Sequence, residues 1–388
     1  MVLVRYVDFS EVLCVYQNYK TMFRATFTDY TPCFLRIEEI KNPFGVLKSI
    51  FESQPNPETT IDECWDFWTM AFRPNYWMTH ESPRVLYENF LKLARLLDTG
   101  WIISRICPSY LTIGEAVKTG YIPGQECDTN LHAGSLIKAY ETLNNSYLQH
   151  NRFDLPFDLY NTFYHGLMPT SLDFEDILKE SAYSSFQEIN ELILSLYAIY
   201  HAEKGKIISK NDTVKLEGFT KFALDHNITQ FNYYDSVENI FEAFDKKQFL
   251  SIIEFLKNIS CSHFFWKSNG NPANVLYYLE ELQFVMEILW DYYLIEPGYV
   301  GSVKWKISKK TRNQIRHLPK QALKNPLNFL LEAFEKRDLS NRRKDIEEWR
   351  LAILDNNWHN QEEHRDIQDF LCCLIEIADL LEYRPINY

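Results

Sequence analysis

The chain has 388 residues, of which 46% are hydrophobic and 24% charged, and its 53 acidic and 40 basic residues give a formal net charge of −13. These fractions are typical of a folded globular protein and exclude a disordered or fibrous chain. Only 12 residues are glycine, which disfavours folds built on tight hairpins and glycine-rich phosphate loops, and so the composition predicts a mainly helical protein.

No stretch of the sequence has the features of a secretion signal or a membrane span. Residues 1–16 lack a basic start, and Arg5 and Asp8 interrupt their apolar run. The longest uncharged apolar stretch, residues 192–200, is about half as long as a membrane span. We therefore expect a cytoplasmic protein with no membrane partner. None of the eight cysteines shows CxxC spacing, and we expect them to be small buried hydrophobes.

The first clear helix is predicted over residues 59–73. Thr60 and Glu63 have the spacing of a capping box, which marks a helix start. Apolar residues at helical spacing then form one predicted buried line: Ile61, Trp65, Trp68 and Phe72.

A second helix is predicted over residues 81–100, with Ser82 as N-cap, Pro83 at the first position and Gly100 as terminator. Glu88 and Lys92 are spaced for a surface ion pair. The predicted buried stripe consists of Leu86, Phe90, Leu93 and Leu97.

The C-terminal third shows the same helical periodicity. A long helix is predicted from about residue 271, closed by Pro297 and Gly298, with this apolar line: Val275, Leu279, Leu282, Met286, Leu289 and Tyr293. Three more helices are predicted, one opened by Asn325–Pro326, one capped by Ser340, and one from about residue 363.

Evidence for strands is limited to two short segments, 32–41 and 298–308. We therefore predict an all-α protein of two or three packed helical bundles with little or no sheet. The predicted domains are an aromatic-rich helical region over 1–130, a central bundle over 131–300, and a C-terminal helical module with a basic edge over 301–388.

Basic charge is concentrated in one segment. From Lys304 to Lys344 there are 13 basic and 3 acidic residues, so the remainder has 27 basic (40 − 13) and 50 acidic (53 − 3). A net charge of +10 within an acidic protein predicts an anionic partner there, with RNA the first candidate. The predicted nucleic-acid-binding residues are Lys309, Lys310, Arg316 and Lys320. The alternative is that the segment neutralises the acidic bundles or faces water.

Within this segment, RNQIRH places Arg312 before a polar residue and His317 after four intervening positions. This pattern resembles the signature of the HEPN superfamily of helical ribonucleases. The resemblance implies metal-independent RNA cleavage at a homodimer interface, with Arg312 and His317 as catalytic residues. Histidine would transfer protons near neutral pH, and arginine would hold the scissile phosphate. Pro319 interrupts any helix that continues past the motif.

A second resemblance covers the chain from Arg312 to the helix that carries Trp349. Its HL and NP dipeptides, in that order, are similar to the C-terminal part of uncharacterised Bacteroidetes-type proteins. That resemblance implies no activity. It would make His317, Asn325 and Pro326 structural residues that dock a three-helix module.

Other chemical motifs are weak. His359 and His364 are five residues apart, which does not place both on one helical face for zinc. A lone Cys261–His263 pair lacks a second pair of ligands. We predict no metal and no cofactor, and two functions remain open. One is a nucleic-acid-binding protein, extending to a HEPN-like ribonuclease, and the other is a non-catalytic helical scaffold that binds other proteins.

Overall fold

The computed structural model describes residues 34–54, 56–73, 75–79, 82–106, 133–149, 154–168, 175–202, 240–268, 270–295, 307, 309–355 and 357–382. Within these ranges 81% of the residues are helical and none lies in a strand. The all-α prediction is therefore confirmed for the part of the chain that the structure describes.

The first eight described helices are α1 Ile37–Lys41, α2 Pro43–Phe51, α3 Glu58–Ala71, α4 Tyr76–Thr79, α5 Pro83–Ile106, α6 Ala133–Gln149, α7 Asp154–Gly166 and α8 Glu175–Ala202. All but the short α4, which packs against the later helix Phe265–Ser268, form a first packing group. Helix α5 is central, because α2, α3, α6, α7 and α8 all pack against it. Its predicted stripe of Leu86, Phe90, Leu93 and Leu97 is buried. The Phe90 ring stacks on Phe163 of α7 with centroids 4.4 Å apart, so aromatic contacts join the group at its centre.

Seven helices form a second group: α9 Lys246–Ser260, α10 Phe265–Ser268, α11 Ala273–Ile295, α12 Lys309–Gln314, α13 Pro326–Lys336, α14 Leu339–Leu354 and α15 Arg365–Glu382. Short 3-10 turns cover Ala322–Lys324 and Gln361–His364. Helix α15 is central here, since α9, α11, α13 and α14 contact it. Residues 370–378 of α15 are all buried, as expected for a helix covered on every side.

Buried polar contacts join the two groups. The hydroxyl of Tyr87 on α5 donates to Glu347 Oε2 on α14 at 2.7 Å, and Arg350 Nη1 donates to the Tyr87 oxygen at 2.6 Å. Arg84 Nη1 donates to Asp355 Oδ2 at 3.0 Å. These contacts fix α5 against α14. The domain boundaries at 130 and 300 remain a prediction, because the packing groups are defined by contact alone.

Two sequence-based assignments in the first group are wrong. Thr60 does not cap α3, which starts earlier, at Glu58; Thr60 lies inside the helix and its hydroxyl donates to Gln54 Oε1 at 2.5 Å. Gly100 does not end α5, which runs on to Ile106. Gly100 is instead a close-approach site, because a Cβ there would lie 2.9 Å from the Tyr147 hydroxyl.

Local pairing and strand assignments also differ from expectation. Glu88 pairs with Arg84, at 2.8 Å, and not with Lys92, which pairs with Glu63 of α3. The candidate strand over 32–41 contains helix α1, and most of the candidate strand over 298–308 lies outside the described residues.

The C-terminal helices are close to prediction. Pro326 opens α13, and α11 buries the predicted line from Val275 to Leu289; Tyr293 and the Pro297–Gly298 stop lie outside the described side chains and residues. The cap of α14 is Asp338, which accepts from the Asn341 amide at 2.8 Å, so Ser340 is an internal residue.

The cysteine prediction is confirmed at three positions. Cys64, Cys372 and Cys373 are buried and free, and burial raises the pKa of each thiol to about 12. They therefore stay protonated at neutral pH and act as small apolar groups.

Candidate nucleic-acid interface

The basic segment from residue 309 begins as helix α12 and leaves the helix at Gln314, before the predicted break at Pro319. Arg312 is therefore helical, whereas His317 lies in the following irregular stretch. The separation of the two side chains is not governed by helical geometry, which would hold positions five apart about 140° from each other around the axis.

The irregular stretch is anchored by a buried carboxylate. Glu376, in the middle of α15, is fully buried and accepts three backbone N–H groups. The amide of Arg316 donates to Oε1 at 2.7 Å, and the amides of His317 and Leu318 donate to Oε2 at 3.0 and 2.7 Å. Because three backbone donors converge on one carboxyl group, this contact fixes the backbone of residues 316–318 on α15.

Apolar side chains provide further anchors. Ile315 packs against the core, and Leu318 and Leu323 are buried in it. The Cys373 thiol donates to the His317 carbonyl oxygen at 3.5 Å. Because the inward positions are taken by these apolar residues, the basic residues between them project outward.

Between Arg312 and Lys324, five basic side chains are exposed: Arg312, Arg316, His317, Lys320 and Lys324. We call these five residues the cationic surface. None of them forms a side-chain hydrogen bond or ion pair with the residues that the structure describes. From Pro297 to Leu331 the sequence contains no aspartate or glutamate. The carboxylate that this segment contacts, Glu376, accepts hydrogen bonds from its backbone amides.

The predicted site residues lie in one stretch of the chain, and the structure does not show Arg312 and His317 acting as a pair. Arg312 and His317 are both exposed, and no hydrogen bond or ring contact within the described part of the chain joins them. Lys309 and Lys310 lie in α12, and their side chains lie outside what the structure describes.

In the later half of the basic segment, Lys336 is exposed without an ion pair among the described residues, but the other cations have a different environment. Arg337 Nε donates to Asp345 Oδ2 at 2.5 Å, and Arg343 Nε donates to Glu287 Oε1 at 2.9 Å. Lys344 pairs with Glu348 at 3.3 Å. These cations are therefore neutralised within the molecule.

Arg342 is the most buried cation of this later half, with 5% of its side chain exposed. Its guanidinium carbon lies 3.9 Å from the centre of the Phe370 ring, and Nη1 donates to Asp366 Oδ2 at 2.9 Å. This arginine is part of the packing between α14 and α15.

Sequence reasoning missed Glu376. The signal was present, since a single carboxylate interrupts the apolar run FLCCLIEIA of α15. A carboxylate on a helix buried all round requires hydrogen-bond donors, so its position indicates a chain segment docked against it.

A second group of ionisable residues lies where the two packing groups meet. The Tyr160 hydroxyl donates to Glu280 Oε1. Burial raises the pKa of Glu280, although the Tyr160 hydrogen bond and Arg350 oppose the rise. Burial, with a smaller contribution from Glu280, raises the pKa of Glu281 to about 7.

Among the described residues, no group of three or more His, Cys, Asp or Glu side chains is placed to hold a metal ion. No described helix combines the length and apolarity needed to cross a bilayer. The chain matches no protein-family model, no curated protein and no solved structure.

Proposed function

We propose that this protein binds RNA through the cationic surface. One observation carries the proposal: four basic side chains, Arg312, Arg316, Lys320 and Lys324, are exposed without ion pairs among the described residues, and Glu376 fixes the backbone of residues 316–318 between them. A cation that already has a carboxylate partner gains little binding free energy from an added phosphate. An unpaired cation that neutralises a phosphate releases the counterions condensed on the RNA, which favours binding.

The fixed backbone adds to this argument. A binding segment that is ordered before it meets its ligand loses less conformational entropy on binding. The three hydrogen bonds from backbone amides to Glu376 and the burial of Leu318 hold the backbone of Arg316 and His317 at a constant position on α15. Because the rest of the chain is acidic, phosphate contacts are expected to be confined to this surface.

The binding experiment is fluorescence anisotropy with a labelled single-stranded RNA. A triple variant, Arg312→Glu, Arg316→Glu and Lys320→Glu, should weaken binding by roughly a hundredfold, because three attractive contacts become repulsive. The matched control reverses three exposed lysines outside the basic segment that form no ion pair with described residues, Lys41, Lys138 and Lys247. Equal weakening by the two triple variants would reject a localised surface.

The catalytic form of the proposal assigns proton transfer to His317 and phosphate binding to Arg312. It requires no metal, so RNA should be cleaved in EDTA and leave 2′,3′-cyclic phosphate ends, and DNA should stay intact. His317→Ala should lower the cleavage rate by about a hundredfold or more.

Cleavage and binding are separable outcomes. If the protein binds RNA in a salt-dependent way but does not cleave it, Arg312 and His317 are binding residues only. A trace cleavage activity that His317→Ala leaves unchanged would reject the catalytic roles.

A further inference from the structure

Helix α3 has an outer face that the rest of the described protein leaves uncovered. Its exposed residues Glu58, Asp62, Trp65 and Asp66 recur at the spacing of one helical face, and the exposed Phe72 and Arg73 follow directly after the helix end. The apolar line predicted for the core, Ile61–Trp65–Trp68–Phe72, is thus only partly internal: Trp68 is buried, but Trp65 is 54% exposed.

The exposed rings on α3 continue onto α8. Trp65 contacts Phe186 with ring centroids 5.3 Å apart, and Tyr183, which is 59% exposed, lies 6.5 Å from the same ring. Phe72 stacks on Trp68 at 6.2 Å. We call Trp65, Phe72, Tyr183 and Phe186 the aromatic face. Contiguous exposed aromatic residues of this kind are typical of interaction sites.

Acidic side chains flank the aromatic face. Asp62 and Asp66 lie next to Trp65 on the helix surface, and neither forms an ion pair with a described residue. Asp66 also lines a cavity of about 310 Å³, together with Met70, Arg73 and Asn89. The face therefore combines apolar rings, two uncompensated carboxylates and a recess beside one of them.

We propose that the aromatic face of α3 and α8 docks a basic amphipathic helix of a partner protein. Apolar residues of that helix would pack on Trp65 and Phe72, and its lysines or arginines would pair with Asp62 and Asp66. This is helix-in-groove recognition, in which apolar anchors give affinity and charge sets the orientation.

The charges identify the class of partner. Uncompensated carboxylates beside the rings repel nucleic-acid phosphates and anionic lipid headgroups, and they attract basic protein segments. Exposed tryptophan and tyrosine rings also bind lysine and arginine by cation–π contacts. The inference is independent of RNA binding, which uses residues of the second packing group.

The test uses a fluorescein-labelled amphipathic helix of about five turns built from leucine and lysine, with a leucine–glutamate helix of the same pattern as its counterpart. The lysine helix should bind and the glutamate helix should not. Trp65→Ala should weaken binding roughly tenfold or more, because truncating a central aromatic anchor is costly. Asp62→Lys with Asp66→Lys should have an effect of at least about the same size.

Two matched variants keep the test specific. Trp358→Ala removes another exposed tryptophan, and Glu332→Lys with Glu335→Lys reverses two exposed carboxylates on α13. Both should leave affinity for the lysine helix unchanged. The proposal fails if these variants weaken binding as much as the α3 variants, or if neither α3 variant has an effect.

The test also distinguishes a second copy of this chain as the occupant. If the wild type sediments as a dimer that Trp65→Ala dissociates, the face is a self-association surface and the proposal is overturned. Trp65→Ala should leave RNA affinity unchanged, so a failure of this inference is separate from a failure of the proposed function.

Discussion

The two halves of the basic segment carry similar charge in the sequence and have different environments in the fold. In the first half, Arg312, Arg316, Lys320 and Lys324 are exposed and have no ion pair with described residues. In the second half, Lys336 is exposed without an ion pair among the described residues, but the cations from Arg337 to Lys344 contact carboxylates of α11, α14 and α15. A count of charges along a chain therefore does not identify a binding surface; the positions of the carboxylates do.

The difference arises because the two halves of the basic segment contact different helices. The second half enters α14, whose own Asp345 and Glu348 lie within one or two turns of its cations. The first half lies across α15, and the carboxylate it meets there, Glu376, is taken by backbone amides. The same contact that fixes the segment leaves its cations without a partner.

The largest expected effect comes from removing the anchor of the first half. Glu376→Ala leaves three backbone N–H groups without their acceptor, so the free energy of unfolding should fall by about 3–6 kcal/mol in urea denaturation. Asp369→Ala, at an exposed carboxylate of the same helix, should change it by less than about 0.5 kcal/mol. Equal effects would show that Glu376 is not the anchor.

Replacing one arginine in each half of the basic segment should separate effects on folding stability from effects on RNA binding. Arg342→Met removes a buried guanidinium from the Phe370 ring and should lower the free energy of unfolding by about 1–3 kcal/mol. Its RNA affinity should not change. Arg312→Met should do the reverse, weakening RNA binding without loss of stability. Urea denaturation and anisotropy on the same preparations measure both quantities.

A pH experiment extends the comparison to two carboxylates of α11, Glu281, which has no cation partner among the described residues, and Glu287, which has one. The pKa of Glu281 is raised from 4.5 to about 7, so its ionised form is disfavoured in the folded state. Stability should therefore be highest below about pH 4.5 for this group and should fall as the pH rises to 7. Glu281→Gln should reduce that fall by about 1–3 kcal/mol.

The control for the pH experiment is Glu287, which Arg343 pairs at 2.9 Å. Glu287→Gln removes that pair and should leave the fall between about pH 4.5 and pH 7 in place. A pH profile that Glu281→Gln does not flatten would contradict the assignment.

The smallest expected effect is at the exposed end of the second half. Lys344 and Glu348 form an i,i+4 pair whose side chains are both exposed. Lys344→Ala should change the free energy of unfolding by less than about 0.5 kcal/mol, because water screens such pairs. A loss several times larger would mean that pairing in this half depends on a network and not on separate contacts.

Much of the fold was predictable from periodicity and caps. Pro83 and Pro326 open their helices as predicted, and the lines through Phe90 and Leu282 are buried, because helix starts and apolar stripes are local properties. Gly100 was misassigned as a terminator because its role, close approach to Tyr147, depends on a helix far away in sequence. Trp65 was assigned to the core because spacing shows which residues share a face, not whether another element covers it.

The candidate site was predictable only in part. The sequence locates the basic segment and its exposed residues Arg316 and Lys320, but not which cations are paired. Pairing of Arg343 with Glu287 joins residues 56 positions apart, and the Glu376 contacts span 58 to 60. Such contacts depend on tertiary packing, which local pattern does not encode. Whether Arg312 and His317 are catalytic stays a prediction.

The salt dependence of RNA binding tests the central claim most directly. With four phosphate contacts, the logarithm of the association constant should fall against the logarithm of KCl concentration with a slope of about −3 for single-stranded RNA. Replacing Arg312, Arg316, Lys320 and Lys324 by alanine should bring that slope close to zero, whereas replacing Arg337, Arg343 and Lys344 by alanine should leave it unchanged. A slope that depends equally on both halves, or only on the second, would contradict the account.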